Sequence, residues 1–286
     1  MADCDSPGPL EADPALVSNP ILNLEKAEQR ANSFFSMLLQ AQLETIKDHI
    51  KFEPQSRSGL DRPAQEWQCL AQIPTSEELN PDWDDPAQVA KITSVLLPNT
   101  VEAPWQDKAL YLETHYRLQR EESITMLRYS ISKYKSNPAM EDDRDTCVYT
   151  KVFVQGYLMT RLGPMCRVSF STERAGKRIR WTQTRRLTTG TLVALSTAKD
   201  KFRTICIPAV IADFVIRGGL DQSPPTIQIF WANPDHAVID PSLEIVMIES
   251  RVGYFESTRH TMVGLQLAAE ENSPLDKYLV SIRRRL

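Results

Sequence analysis

Several things that would define a function are missing from this 286-residue sequence. No apolar run approaches the roughly 18 residues that a membrane-spanning helix needs. The first residues lack a basic stretch followed by an apolar one, so no secretory signal is expected, and the expected setting is nuclear or cytoplasmic. The five cysteines, Cys4, Cys69, Cys147, Cys166 and Cys206, are scattered and form no C-x-x-C pair. That argues against a zinc knuckle or a disulfide framework and for buried, reduced thiols. There is no G-x-x-x-x-G-K-[ST], since Gly176-Lys177 is followed by Arg178, so no backbone cradle for ATP phosphates is expected. G-x-S-x-G and H-E-x-x-H are absent as well. The four histidines, His49, His115, His236 and His260, are isolated from one another. No catalytic residue, metal or cofactor is therefore expected.

Charge is present but divided. Residues 1–100 hold seven basic and sixteen acidic side chains, a net of −9, whereas residues 101–286 hold 26 and 21, a net of +5. A globally basic nucleic-acid binder is excluded, and a local basic face is not. Hydrophobic residues make up 42% of the chain, enough for a real core.

The chain divides into three expected parts: a disordered tail over 1–18, a helical lead-in over 19–138, and a β-barrel with a closing helix over 139–286. The tail is rich in Pro, Asp, Ser and Gly. Asn19-Pro20 supplies a cap and a first-turn proline for a helix ending near Phe52, whose stripe runs through Phe35, Leu38, Leu39, Leu43, Ile46 and Ile50. Residues 53–66 lack periodicity. Trp67, Leu70 and Ile73 anchor an irregular stretch, and Asp85-Pro86 opens a short helix to about Leu97. The longest helix is expected over about 106–135, with Leu112, Tyr116, Ile124, Leu127, Ile131 and Tyr134 on its apolar side and Asn137-Pro138 at its end. On its polar side Glu113 and Arg117 form a helix-stabilising pair, and Arg120 and Arg128 read as scaffold electrostatics.

From Thr146 the period falls from about 3.6 to 2. Strands are expected at 147–154, 167–171, 191–195, 203–210, 226–232 and 243–248. Six short strands suggest a small antiparallel barrel, because closure removes exposed edges. A final helix over about 254–270, with Phe255, Thr258, Met262 and Leu265 on one side, is expected to lie over one barrel mouth. The fold class is thus α+β: a helical N-terminal part, then a small antiparallel β-barrel closed by a C-terminal helix. The acidic group at 141–145 reads as a solvated turn.

One local signal points to chemistry. Between Arg174 and Arg186 lie Lys177, Arg178, Arg180 and Arg185 with Trp181 among them and no acidic residue. Read as a strand, Lys177, Ile179 and Trp181 share one face and Arg178 and Arg180 the other. Guanidinium groups pair with phosphates and stack on bases, so Lys177, Arg178, Arg180, Trp181, Arg185 and Arg186 are the candidate RNA-binding residues. Equally, Ile179 and Trp181 can belong to the core while the arginines are merely solvated. Nothing suggests sequence-specific readout.

Three segments carry a likeness: Tyr111 to Glu121 (YLETHYRLQRE), Arg180 to Leu195 (RWTQTRRLTTGTLVAL), and Tyr254 to His260 (YFESTRH) with Gly264 to Gln266. In this order they resemble the region upstream of the motor in eukaryotic superfamily 1 RNA helicases with NFX-type zinc fingers, over roughly residues 74–280. The resemblance implies a setting in RNA silencing or antiviral RNA surveillance, and a barrel that guides RNA across a motor. The chain stops at Leu286, where the family would continue into its ATPase core. The expectation is a non-enzymatic RNA- or ribonucleoprotein-associated module, free-standing or a piece of a longer helicase. The alternative is a protein-interaction scaffold that docks a partner through its amphipathic helices.

Overall fold

The computed structural model describes residues 66–94, 96–99, 103–161, 163–238, 240–253, 255–274 and 276–280. The expected tail, the helix ending near Phe52 and the basic end at 281–286 lie outside them.

Local signals set the helical part. Thr75 caps α1 (Ser76–Leu79) with a reciprocal box: its hydroxyl accepts from Glu78 N, and Glu78 Oε2 accepts from Thr75 N at 2.7 Å. Pro86 starts α2 (Pro86–Ser94), shorter than expected. Asp107 caps α3 (Lys108–Ser136), accepting from Leu110 N at 2.8 Å, and the helix ends at Asn137-Pro138. The whole expected stripe of α3 is buried, but so are Arg120 and Arg128, which continue it at helical spacing.

These arginines are satisfied rather than solvated. Arg120 forks onto Glu78 with contacts of 2.6 and 2.8 Å and donates to the carbonyls of Ala71, Gln72 and Ile73. Arg128 donates to Glu78 O at 2.7 Å and pairs with Glu121 at 2.5 Å. Glu113 and Arg117 form the expected pair at 2.8 Å.

The strands are β1 (Thr146–Thr160), β2 (Gly163–Ser171), β3 (Leu192–Thr197), β4 (Ile207–Asp213), β5 (Thr226–Trp231) and β6 (Ile245–Ser250). They close into an antiparallel barrel in the order β1-β2-β5-β4-β3-β6, with β6 pairing back to β1. Side-chain alternation then makes two apolar layers. Tyr149, Val152, Phe170, Val193, Leu195, Ile229, Ile245 and Met247 fill the barrel interior. Val148, Leu192, Ala194, Val246 and Ile248 point outward and are covered by the apolar stripe of α3.

Three expectations need correction. The β1–β2 hairpin is longer than read, pairing out to Thr160 and Gly163. Residues 177–181 are not a strand: β2 ends at Ser171, β3 begins at Leu192, and the connection between them holds only two short turns, Glu173–Ala175 and Trp181–Gln183. Lastly, α4 (Phe255–Glu270) packs along α3 and the turn Glu66–Cys69 rather than over a barrel mouth. Met262 and Phe255 enter the cluster of α3, and buried Gln266 donates to Trp67 O and Leu70 O while accepting from Gln72. A five-residue helix, α5 (Asp276–Val280), follows, and Lys108 is bound to Asp276 at 2.9 Å.

Candidate nucleic-acid interface

The basic run occupies the long connection from β2 to β3. After Ser171 the chain makes a short turn (Glu173–Ala175), reverses at Gly176 with φ 65°, and runs extended to a second turn (Trp181–Gln183). A left-handed residue at 176 suits glycine, which has no Cβ to clash.

Four contacts fasten this connection to the body. Arg174 donates to Ala139 O at 2.5 Å and Met140 O at 3.3 Å, while its own carbonyl accepts from Asp142 N at 2.8 Å. Trp181 is half-buried and meets Phe170 edge-to-face at 6.1 Å between ring centres. Arg186 forms an ion pair with Asp142, its side chain 9% exposed and the carboxylate 4%. The next residue, Leu187, is fully buried at a left-handed φ of 52°, an uncommon conformation for a branched side chain. Its N–H is held by Glu249 Oε1 at 2.7 Å.

Glu249 is the least expected group in the molecule. It sits on β6 in phase with Ile245 and Met247, so its carboxylate points into the barrel, where it is 2% exposed. Its other oxygen accepts from Tyr149 Oη at 2.7 Å. Burial pushes its pKa up to about 7, against the pull of these two donors and of Arg186. Burial and the same carboxylate raise the Cys147 thiol to about 12. Burial likewise lifts Cys166 and Cys206 to about 12, so these thiols are inert core groups, whereas Cys69 is exposed.

The acidic group at 141–145 is therefore structural rather than solvated. Asp142 takes Arg186 on one oxygen and Val148 N at 2.8 Å on the other. Asp143 caps Asp145 N and Thr146 N and pairs with Lys133. The buried Asp142 carboxylate needs a partner, and Arg186 of the basic run supplies it.

Between the fastened points, Lys177, Arg178, Arg180 and Arg185 stand exposed. Among the described residues their side chains make no hydrogen bond or ion pair. Of the six candidates, then, four face solvent, Trp181 is half in the core, and Arg186 is committed to Asp142. Arg174 is likewise a pin. Sequence reasoning missed Glu249 and Asp142. The period-2 placement of Glu249 between apolar interior positions was the available signal, because an inward carboxylate demands donors. Among the described residues no group of His, Cys, Asp and Glu could hold a metal ion, and no helix is long and apolar enough to cross a membrane.

The barrel with its entry and exit, residues 141–251, matches the model of the ZNFX1 domain. The chain is similar to the N-terminal region of the helicases with NFX-type zinc fingers that carry this domain. It is 35% identical over 215 residues to the fission-yeast (Schizosaccharomyces pombe) "Helicase required for RNAi-mediated heterochromatin assembly 1", covering 75% of this chain and 20% of that protein. It is 31% identical over 198 residues to the mouse "NFX1-type zinc finger-containing protein 1" and 30% identical over 198 residues to the human protein of that name. Each of these mammalian matches covers 65% of this chain and 10% of the relative. The chain thus spans a tenth to a fifth of the curated relatives it matches.

Proposed function

We propose that the barrel is a single-stranded RNA-binding module with no chemistry of its own, acting in an RNA or ribonucleoprotein assembly of the RNA-silencing kind. The observation that carries this is the β2–β3 connection. Its ends are pinned by Arg174 and by Arg186 and Leu187, and it holds out to solvent four cations, Lys177, Arg178, Arg180 and Arg185, that have no partner among the described residues. A pinned loop loses little further conformational freedom when it meets phosphates, so its charges are presented ready for use. The name of the yeast relative, which includes RNAi-mediated heterochromatin assembly, supports the setting, and a nuclear or cytoplasmic location goes with it.

Fluorescence anisotropy of the purified chain with a short unstructured RNA, across a salt series, tests this. If all four cations reach phosphates, log K falls against log salt with a slope of roughly −3. Changing Lys177, Arg178, Arg180 and Arg185 together to Ala, with Arg186 left in place, removes most of the binding and flattens the slope. No binding at low salt, or binding that the fourfold variant retains in full, overturns the proposal.

A further inference from the structure

The helices cover only part of the barrel. The outer faces of β3 and β6 lie under α3, whereas the outer face across β1, β2 and β5 carries Phe153, Arg167 and Phe230, with Leu158 and Met165 beside them, none of which either apolar cluster contains. Val152 and Val154 belong to the interior, so Phe153 between them points out; Phe230 does the same between Ile229 and Trp231. Arg167, between interior Cys166 and Val168, is exposed. The register sets the three in a row across adjacent strands. Phe153 is opposite Ser169, Arg167 is opposite Gln228, and each phenylalanine is therefore diagonal to Arg167, about 7–8 Å away.

Three features distinguish this row from an ordinary sheet exterior. Both phenylalanines are half-buried, yet neither has an aromatic partner among the described residues. Gly156, directly opposite Arg167 on β1, presents no side chain, and a Cβ built there would meet nothing within 4 Å. Lastly, β2, β5 and residues 153–160 of β1 contain no acidic residue. The nearest strand carboxylate in register is Asp213, at the end of β4 opposite Gln228.

We propose that this face is a base-stacking platform for single-stranded RNA, with Phe153 and Phe230 taking bases and Arg167 stacking or pairing with phosphate between them. The inference rests on the RNA reading of the β2–β3 connection, which leaves the far end of the strand that carries Arg167. The connection grips the backbone, and the face receives the bases. Such a division is how sequence-tolerant single-strand binding is built, since every base has a stacking face and every nucleotide a phosphate. Protein partners fit less well: an apolar helix laid on the row would cover the exposed Arg167 guanidinium, with no acidic residue on β2, β5 or residues 153–160 to pair with it.

The test uses the full chain and a single-stranded RNA carrying 5-iodouridine, irradiated and mapped by mass spectrometry. Cross-links are expected on the peptides containing Phe153 and Phe230. Phe153→Leu and Phe230→Leu, which keep an apolar side chain, lower affinity roughly five- to tenfold each without changing the salt slope. Arg167→Ala instead makes the slope shallower by about 0.7. Cross-links confined to residues 172–191, with both leucine variants binding as the parent does, overturn the platform and leave the loop reading standing. Absence of any RNA binding by the parent chain overturns both.

Discussion

Raising the pH from about 5 to about 8 should draw a proton out of the barrel interior, and the cost is readable from Glu249. The carboxyl ordinarily titrates near 4.5, as it does in the unfolded chain; inside the barrel it titrates at about 7. The folded state therefore holds the proton more tightly. Its contribution to stability is fully present below pH 4.5 and is lost as pH rises through about 7. A rise of this size corresponds to about 3 kcal/mol. With the side chain 2% exposed, solvent screening does not reduce that figure. Glu249→Gln removes the titration while keeping the geometry: its amide oxygen accepts from Leu187 N, and its NH2 donates to a reoriented Tyr149 hydroxyl. The assay is urea unfolding followed by tryptophan fluorescence, for parent and variant side by side. Burial lowers the pKa of His115, whose contribution grows with pH in the same window, but it is common to both proteins and cancels in the difference. Glu78, Asp143, Asp200 and Glu256 are all depressed, and their contributions are lost only at lower pH. The difference in unfolding free energy should shift by about 3 kcal/mol across the range in favour of the glutamine protein. Parallel curves would refute the buried, protonatable carboxylate.

Other contacts make equally direct claims. Arg120→Met leaves Glu78 and the carbonyls of Ala71, Gln72 and Ile73 without their donor, so it should cost about 3–5 kcal/mol in urea unfolding. Asp142→Asn keeps an acceptor for Val148 N but removes the charge opposite Arg186. It should leave the barrel folded and speed tryptic cleavage within residues 174–186 several-fold, scored by timed digestion and mass mapping.

Much of the architecture was legible because it rests on periodicity. The α3 stripe from Leu112 to Tyr134 repeats at three and four, and all six of its expected apolar members are buried. The change to period 2 after Thr146 located six strands, and Val, Ile and Thr content with edge avoidance pointed to closure. What periodicity does not encode is pairing. The strand order places β5 beside β2, which no local signal fixes. The hairpin extension was obscured by Gly156 and Gly163, which interrupt the pattern of branched residues on either side. Alternation over Lys177 to Trp181 was too short to be diagnostic, and the run had no neighbour to pair with. In the candidate site, composition found the cations but could not tell which would be spent inside. Arg174 and Arg186 look no different from Arg178 and Arg180 until Ala139, Met140 and Asp142 are brought beside them. Arg120 and Arg128 were hidden because a charged side chain in an apolar stripe reads as surface until its partners are seen.

The pairing of β1 with β6 has a consequence for how the protein is made. Thr146 lies opposite Ser250, so the ring is sealed by contacts between segments about a hundred residues apart in the chain. Such non-local contacts come late and slow folding. As the polypeptide leaves the ribosome, β1 through β5 can be complete while their last neighbour is still unmade. Until residues 245–250 arrive, β1 and β3 each present an unpaired row of backbone donors and acceptors, one flank of a nascent sheet that other chains could join. The interval between synthesis of β5 and capture of β6 is therefore the time at which this molecule most needs a chaperone.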